Sequence, residues 1–281
     1  MELWYALVDL LPFEWAEPGH MFFMKNALLA VLVISPLFGL LSTMVVQSRM
    51  SFFSDALGHS AFTGMAIGSL TGLFVEPMWC AVAFAVAFAL LFTLVHRSAG
   101  LASDTVIGVF SSTAVALGIF LATLDGGSFT RFNVLLIGDI LSVEPAKVGL
   151  LLVILLLVAV LWLVSFNQLM LSAVHPALAD SRGIRVFWQE TVFSVAIAVV
   201  VTLSMTWVGL LVINSLLVLP AAAARNIARN LWQYHLFSLL GAILAGVAGL
   251  MTSYYLGGSA GAAITLYLAV WFTVTFLVRK Q

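Results

Sequence analysis

The stretch VGLLLVILLLVAVLWLVS, residues 148–165, contains no charged side chain and no proline. A helix of about 17–25 apolar residues crosses a hydrocarbon core of roughly 30 Å, and its backbone groups bond internally, as lipid requires. Runs of the same kind lie on both sides of it along most of the chain. We therefore predict an all-α fold, a polytopic transmembrane helical bundle with spans near 27–46, 56–74, 78–95, 105–124, 148–165, 191–209, 234–256 and 262–278, and a shorter run at 210–224.

The composition supports a membrane protein and excludes several other classes. Of 281 residues, 63% are apolar and only 8% are charged, against about 25% charged in ordinary soluble domains. The formal net charge of −1 leaves no basic surplus for binding a polyanion, which excludes a nucleic-acid partner. Cys80 is the single cysteine, so neither an intrachain disulfide nor a cysteine cage for zinc or an iron–sulfur cluster is possible.

The distribution of charges divides the chain into two parts and predicts its orientation. Residues 1–26 carry acids but no basic front end, unlike a signal peptide, and form an amphipathic lead-in, while residues 27–281 form one transmembrane domain. Short cytoplasmic loops retain Lys and Arg. If the run 210–224 crosses, eight of the eleven cations share the cytoplasmic side, and we predict nine traversals with the N-terminus outside and the C-terminus inside; these cations are Arg49, Arg97, Arg182, Arg185, Arg225, Arg229, Arg279 and Lys280.

The segment RMSFFSDALGHSAFTGMAIGSLTG, residues 49–72, is too polar and too rich in small residues to face lipid all round. Small residues recur at every fourth position, which places them in one row along a helix and lets a second helix approach closely. The pattern predicts tight helix packing along the row Ser60, Gly64, Gly68 and Gly72.

Asp55 and His59 stand four positions apart in this segment, so their side chains project from one helix face about a turn apart. An ionisable pair inside a membrane helix is costly unless it meets a partner, water or an ion. A carboxylate and an imidazole suit Zn²⁺, and also Mn²⁺ or Fe²⁺. The alternative is structural: Ser54 or Asp55 caps the helix, and His59 is an interior histidine with satisfied hydrogen bonds. Chemistry alone leaves both interpretations open.

Between residues 125 and 147, two short apolar pieces are interrupted by Gly138, Asp139 and Pro145. This pattern predicts an outer connection with a short interfacial or re-entrant helix. Asp139 is a further candidate for an ion path, although a solvated charge, paired or not with Arg131, is the simpler explanation.

The stretch from Thr206 to Gln233 combines an apolar run with a basic end. Asn214 lies in mid-run and is expected to join helices through a hydrogen bond. Proline is expected to stop the run, and the alanines and arginines behind it to form a short helix in a cytoplasmic turn. That helix either fits a cleft on a partner protein or is an ordinary positive anchor; its residues are Pro220, Ala221, Ala224, Arg225 and Arg229.

Motifs of catalysis are missing from the sequence. None of the three lysines follows a glycine, so the phosphate-binding G-x-x-x-x-G-K-[ST] loop is absent and the chain is not expected to hydrolyse ATP. Neither H-E-x-x-H nor G-x-S-x-G occurs, so no motif supports a metalloprotease or a lipase. The sequence thus contains no motif that favours an enzyme.

Four blocks together resemble the permease subunits of zinc-, manganese- and iron-type bacterial ABC importers, and the resemblance covers roughly residues 27–278. The first and third blocks are the most specific, because hydrophobicity alone does not demand them. In chain order, the blocks are SPLFGLLSTMVVQSRMSFFSDALGHSAFTGMAIG (35–68), FNVLLIGDILSV (132–143), VGLLVINSLLVLPAAAARNIAR (208–229) and SYYLGGSAGAAITL (253–266).

The resemblance implies a function, partners and a location. Such permeases work in the bacterial plasma membrane with a second permease copy, receive a metal ion from an extracytoplasmic binding protein, and are driven by separate ATPase subunits. The metal is cargo, zinc first and manganese or iron(II) as alternatives, and no permanent cofactor is expected. By position, Asp55 and His59 match residues that line the metal path, and the segment 221–229 matches the helix that docks into the ATPase.

Departures and competing functions remain. Similar permeases often carry Asp and Pro after the position of Tyr255, where this chain has Gly257 and Gly258, so an acid that serves ion entry elsewhere has no counterpart there.

Two other functions are compatible with the residues. A secondary cation transporter that works alone, with Asp55 and His59 as a relay, is the alternative from another class. A purely structural membrane subunit is a third, and it would tolerate loss of both side chains.

Overall fold

The computed structural model describes residues 2–19, 21–72, 76–99, 102–124 and 138–279. Every regular element in these ranges is helical, with short 3₁₀ turns at Glu14–Ala16 and Ile140–Ser142. The α-helices are α1 (Glu2–Val8), α2 (Phe22–Gln47), α3 (Phe53–Thr71), α4 (Pro77–Ala99), α5 (Ser103–Leu124), α6 (Pro145–Val174), α7 (Pro176–Ser181), α8 (Val186–Val208), α9 (Leu210–Ile227), α10 (Leu231–Leu256) and α11 (Ala260–Val278).

Eight of the described helices are long and apolar enough to cross a membrane. The short run expected at 210–224 is one of them, as the 18-residue helix α9. Helix α3 has 19 residues and is too polar to be counted with the eight. The all-α membrane bundle is confirmed, and nine long helices occupy the nine positions at which the sequence predicts crossings.

Helix α2 lies at the centre of the bundle and packs against α6, α9 and α10. Helices α9, α10 and α11 pack on one another beside it, whereas α3 packs with α4 and α5, and α8 joins that group through α4. In the most apolar window of α2, 72% of the residues are buried inside the chain, against 22% in α6. The central helix is therefore shielded by protein, and α6 presents most of its surface outward.

The predicted grouping of cations is visible as one basic end of the bundle. The Arg97 guanidinium lies 5.9 Å from the centre of the Phe187 ring, which links the ends of α4 and α8. The Asn226 amide donates to Thr275 Oγ1 at 3.3 Å, which places the last turns of α9 and α11 side by side. We call this end the basic end; its cations include Arg49, Arg97, Arg182, Arg185, Arg225 and Arg279. Its cytoplasmic location stays a prediction.

The lead-in, for which the sequence predicts no contact, folds back onto the start of α2. Lys25 is fully buried there; its ammonium group pairs with Asp9 and donates to the carbonyl oxygen of Glu17 at 2.9 Å. Trp4 Nε1 donates to the Lys25 carbonyl oxygen at 2.9 Å. A buried cation without its carboxylate is strongly destabilising, so the first 19 residues and α2 form one structural unit.

The prediction that Pro220 ends the apolar helix was wrong. Helix α9 continues through this proline to Ile227. Proline removes one backbone hydrogen bond, and membrane helices tolerate the loss because neighbouring helices surround the exposed carbonyl. Pro220 itself is buried, as are Ala221 and Ala224, so the alanine face packs inside this chain, with Tyr234.

The connection before α6 approaches the joint between α8 and α9. Of the segment 125–147, residues 125–137, including Arg131, lie outside the described part of the chain. Gly138 (φ +63°) abuts Gly209 (φ +87°), and a Cβ on Gly138 would stand 2.1 Å from the Gly209 nitrogen. Only glycine fits this close contact between two backbones with positive φ. No interfacial helix is seen in residues 138–144, only the 3₁₀ turn Ile140–Ser142.

The small-residue row on α3 meets helix α4. A Cβ on Gly64 would stand 2.6 Å from Ala81 Cα, and one on Gly68 would stand 3.0 Å from Pro77 Cα. Ser60 is fully buried, and its hydroxyl donates to the carbonyl oxygen of Leu57 at 2.8 Å. The prediction was wrong for Gly72, which faces open space and ends the helix with φ +60°.

Candidate functional site

Asp55 and His59 lie in the first two turns of α3 and converge as their spacing predicts. His59 Nε2 and Asp55 Oδ2 are 3.5 Å apart. The helix begins after Phe52 and has no side-chain cap, and the Ser54 hydroxyl makes no hydrogen bond with the described residues. The capping part of the structural alternative, in which Ser54 or Asp55 caps the helix, was therefore wrong, while the part that concerns His59 stays a prediction.

Helix α9 supplies the third polar group at this place. Asn214 Nδ2 donates to Asp55 Oδ1 at 3.0 Å, across 159 positions of sequence. The predicted joining role of Asn214 is present in this contact. The amide holds one carboxylate oxygen while the other faces His59. The three side chains therefore form one cluster, which we call the α3–α9 site.

Among the described residues, no Lys or Arg forms an ion pair with the carboxylate of the α3–α9 site. In the part of the chain that the structure describes, the ion pairs of Lys and Arg are Lys25 with Asp9 and Lys147 with Glu144. The side chain of Asp55 is 46% exposed on the surface of the single chain, and that of His59 is 20% exposed. The carboxylate is thus open to a cation approaching from outside the chain.

The geometry of the pair fits two ligands of one metal ion. With bonds of about 2.1 Å and a tetrahedral angle, neighbouring ligand atoms stand about 3.4 Å apart. The observed 3.5 Å between oxygen and nitrogen is close to that value and longer than an ordinary hydrogen bond. No group of three or more His, Cys, Asp or Glu side chains that could hold a metal occurs among the described residues. Few charged ligands favour weak, releasable binding over storage.

Asp139, the further candidate for the ion path, has a local structural task. Its carboxylate accepts a hydrogen bond from the backbone nitrogen of Leu141 at 3.1 Å and so caps the 3₁₀ turn. The residue is exposed. Its contribution to the path stays a prediction.

The candidate docking residues divide into a buried and an exposed set. Pro220, Ala221 and Ala224 are buried and cannot touch another protein in this conformation. Arg225 and Arg229 are exposed at the basic end. A docking surface at this end of α9 therefore consists of the arginines rather than of the alanine face.

Helix α9 connects the α3–α9 site to the basic end. Near its start, Leu210 packs so closely on Gly58 of α3 that a Cβ there would stand 2.3 Å from the Leu210 side chain. Asn214 and Arg225 are eleven positions apart, about 16 Å of helix. The glycine row of α3 is not part of this connection, because Gly64 and Gly68 face α4.

A polar cavity at the basic end is a feature that the sequence did not predict. Its volume is about 330 Å³, and its lining includes Gln47, Arg49, Phe92, His96, Ser172 and Glu190. His96 Nδ1 is buried without a hydrogen-bond partner in the described ranges, while His96 Nε2 lies 3.3 Å from the Ser103 hydroxyl. These residues come from α2, α4, α6, α8 and the α2–α3 turn, and no local sequence pattern brings them together.

Comparison with known proteins agrees with this architecture. Residues 20–279 match the ABC 3 transport family. The manganese import system permease protein ScaB of Streptococcus parasanguinis is 30% identical over 92% of this chain and 91% of its own. The high-affinity zinc uptake system membrane protein ZnuB of Haemophilus influenzae is 27% identical over 91% of this chain and 97% of its own. In the solved structure of PsaBC from Streptococcus pneumoniae in complex with Fab, a chain with 27% identity superposes with a TM-score of 0.77, covering 98% of this chain and 95% of that one.

Proposed function

Because this chain belongs to the ABC 3 transport family, we propose that it is the membrane-spanning permease of an ATP-driven importer of divalent transition-metal ions. The α3–α9 site carries the proposal: a carboxylate, an imidazole and an amide meet on two helices inside a membrane bundle. Ionisable groups in such a place mark ion pathways, since lipid penalises them otherwise. Asp55 and His59 are the ligands that the ion meets during its passage.

Zinc is the first candidate for the cargo. A carboxylate and an imidazole at a separation near the tetrahedral value are ligands that zinc favours. Manganese is the second candidate, because relatives named for manganese import match the chain as well as those named for zinc uptake do. Iron(II) accepts the same ligands. The ion is substrate, and the permease needs no resident cofactor.

A second permease copy completes the path. Asp55 is almost half-exposed on the single chain, and an ionisable side chain within a membrane segment is costly where it meets lipid. Covering that surface with the same surface of another copy removes the cost and produces an isologous dimer. The ion then passes between two α3 helices, each contributing an Asp and a His.

The importer needs two further kinds of subunit, and one of them must hydrolyse ATP because the phosphate-binding loop is absent from this sequence. An extracytoplasmic binding protein delivers the ion, and separate ATPase subunits supply the energy. The exposed Arg225 and Arg229 dock on the ATPase at the basic end. Helix α9 then transmits the movement of the ATPase to Asn214, whose bond to Asp55 closes or opens the α3–α9 site.

The first experiment removes the two ligands together. Asp55→Asn combined with His59→Ala should lower zinc and manganese accumulation to the level of cells without the importer, because the ion loses both first contacts. Elemental analysis of cells that express the intact importer measures this, and co-purification of the ATPase shows that assembly is unchanged. Asp104→Asn, an exposed carboxylate elsewhere, is the control with normal uptake. Normal metal uptake by the double variant would refute the assignment.

The second experiment addresses docking. Arg225→Glu reverses a charge at the ATPase side and should lower co-purification of the ATPase by about tenfold, as expected when a charged interface pair becomes repulsive. Lys147→Glu makes the same change at the opposite end of the bundle and should have no effect on co-purification. Equal ATPase recovery with both variants would place the docking surface elsewhere. Uptake that persists without any ATPase would favour a secondary transporter that works alone.

A further inference from the structure

The two ends of the Asn214 amide have different surroundings. An ionised carboxylate accepts hydrogen bonds and cannot donate them, so the group that contacts Asp55 Oδ1 at 3.0 Å must be the amide nitrogen. The orientation of the amide is thereby fixed by chemistry. Asn214 Oδ1 is buried and has no hydrogen-bond partner among the residues that the structure describes. A buried acceptor in this state is unfavourable.

Two serine contacts between helices show what a polar residue with a joining role looks like in this bundle. Ser215, the next residue of α9, donates to the Leu211 carbonyl oxygen at 2.7 Å and lies 2.9 Å from Thr265 Oγ1. Ser42 and Ser238 pair in the same way between α2 and α10. Other buried hydroxyl groups in the described ranges, including those of Ser54 and Thr206, also lack a partner. Asn214 differs from them because its amide nitrogen binds the Asp55 carboxylate, so its unpartnered oxygen, the better metal ligand of the two amide atoms, belongs to the cluster that holds the ionisable pair.

We propose that Asn214 Oδ1 is a third protein ligand of the transported ion and that this oxygen sets the preference between zinc and manganese. The inference rests on the proposed function and adds to it a residue on the second helix. With Asp55 and His59 on α3 and Asn214 on α9, the ion itself bridges the two helices. Binding then depends on the position of α9.

The chemistry of the amide oxygen gives the direction of its effect. Manganese prefers oxygen ligands and a coordination number near six, whereas zinc is satisfied by four ligands and binds imidazole well. A neutral carbonyl oxygen therefore contributes more to manganese than to zinc. Its removal should raise the zinc preference, and its replacement by imidazole should raise that preference further.

The test measures equilibrium binding of zinc alone and of manganese alone to the purified full-length permease by calorimetric titration, so that the selectivity of a binding protein plays no part. Asn214→Leu keeps a similar volume and removes the oxygen; it should weaken manganese binding about tenfold, the size expected for a lost metal-site partner, and zinc binding clearly less. Asn214→His should bind zinc more tightly than Asn214→Leu does. Ser215→Ala removes a hydrogen-bonding side chain at the adjacent position and should leave the ratio of the two affinities unchanged.

Each outcome has one meaning. A changed ratio in Asn214→Leu with an unchanged ratio in Ser215→Ala supports the proposal. If Asn214→Leu weakens both metals in the same proportion, or neither, Asn214 is only a packing residue and the proposal fails. If the unaltered permease neither binds nor imports either metal, the proposed function fails instead, which separates the two results.

Discussion

Helices α3 and α6 show two opposite ways of being a membrane helix. Helix α6 has 30 residues and the highest mean hydropathy of the candidate spans. Its middle is exposed on the outside of the bundle, as at Leu156, Leu157, Leu163 and Val164, which are 64–75% exposed. Helix α3 is shorter and more polar, and it combines glycine contacts with Asp55 and His59. Composition thus distinguishes the helix that faces outward from the helix that carries the ionisable pair.

The largest effect is expected when a carboxylate, such as α3 carries, is placed on the outward surface of α6. Leu157→Asp puts a carboxylate in the middle of the lipid-facing surface, where it costs about 3 kcal/mol. The variant should be nearly absent from the membrane fraction on an immunoblot, whereas Leu157→Ala should accumulate normally. Normal accumulation and uptake of Leu157→Asp would mean that this surface of α6 meets protein or water, and α6 could then not be described as the lipid-facing helix.

A smaller effect, on thermal stability, is expected when one glycine of each helix is replaced by alanine. Gly64→Ala drives a methyl group to 2.6 Å from Ala81 Cα, and overpacking of this kind costs about 1–3 kcal/mol. Gly149→Ala on α6 has no atom within 4 Å and should raise stability by up to about 1 kcal/mol through helix propensity. Thermal unfolding in detergent should therefore shift in opposite directions. A shift in the same direction would show that α3 has room to adjust.

The sequence predicted the membrane bundle because apolar runs of spanning length have few other structures open to them. It placed the limits of α6 less well, at 148–165 instead of Pro145–Val174. The added turns contain Asn167 and Gln168, whose polarity hides the helix from a search for apolar runs. The helix continues there because the basic end of the bundle packs against it, with Leu169 and Ser172 buried. Packing by distant elements is not encoded in the local pattern.

Pro220 shows where a general rule fails inside a membrane. In water, proline ends a helix because the freed carbonyl and the clash are best relieved by a turn. In the bundle, α2, α10 and α11 surround α9, and a helix remains the best structure for its backbone. The expected short helix after Pro220 is thus the last part of a longer one.

Only the part of the candidate site that lies within one helix could be predicted from the sequence. A spacing of four between Asp55 and His59 brings their side chains together in any helix, so their convergence follows from local geometry. The contact of Asn214 with Asp55 joins two helices that are distant in sequence, and one sequence alone carries no signal for that pairing. The contact between the lead-in and α2 could have been predicted, since Lys25 at the start of an apolar helix needs a carboxylate nearby.

The joint at Gly209, the single residue between α8 and α9, sets the proportions of the movement proposed for α9. Arg225 is sixteen positions and Asn214 five positions from this joint, which are about 24 Å and about 7.5 Å along a helix. If α9 rotates about the joint as a rod, a displacement at the arginine is reduced about threefold at the asparagine. A push of several ångströms arrives as a movement of about one, which is enough to break one hydrogen bond and too small to open a wide channel.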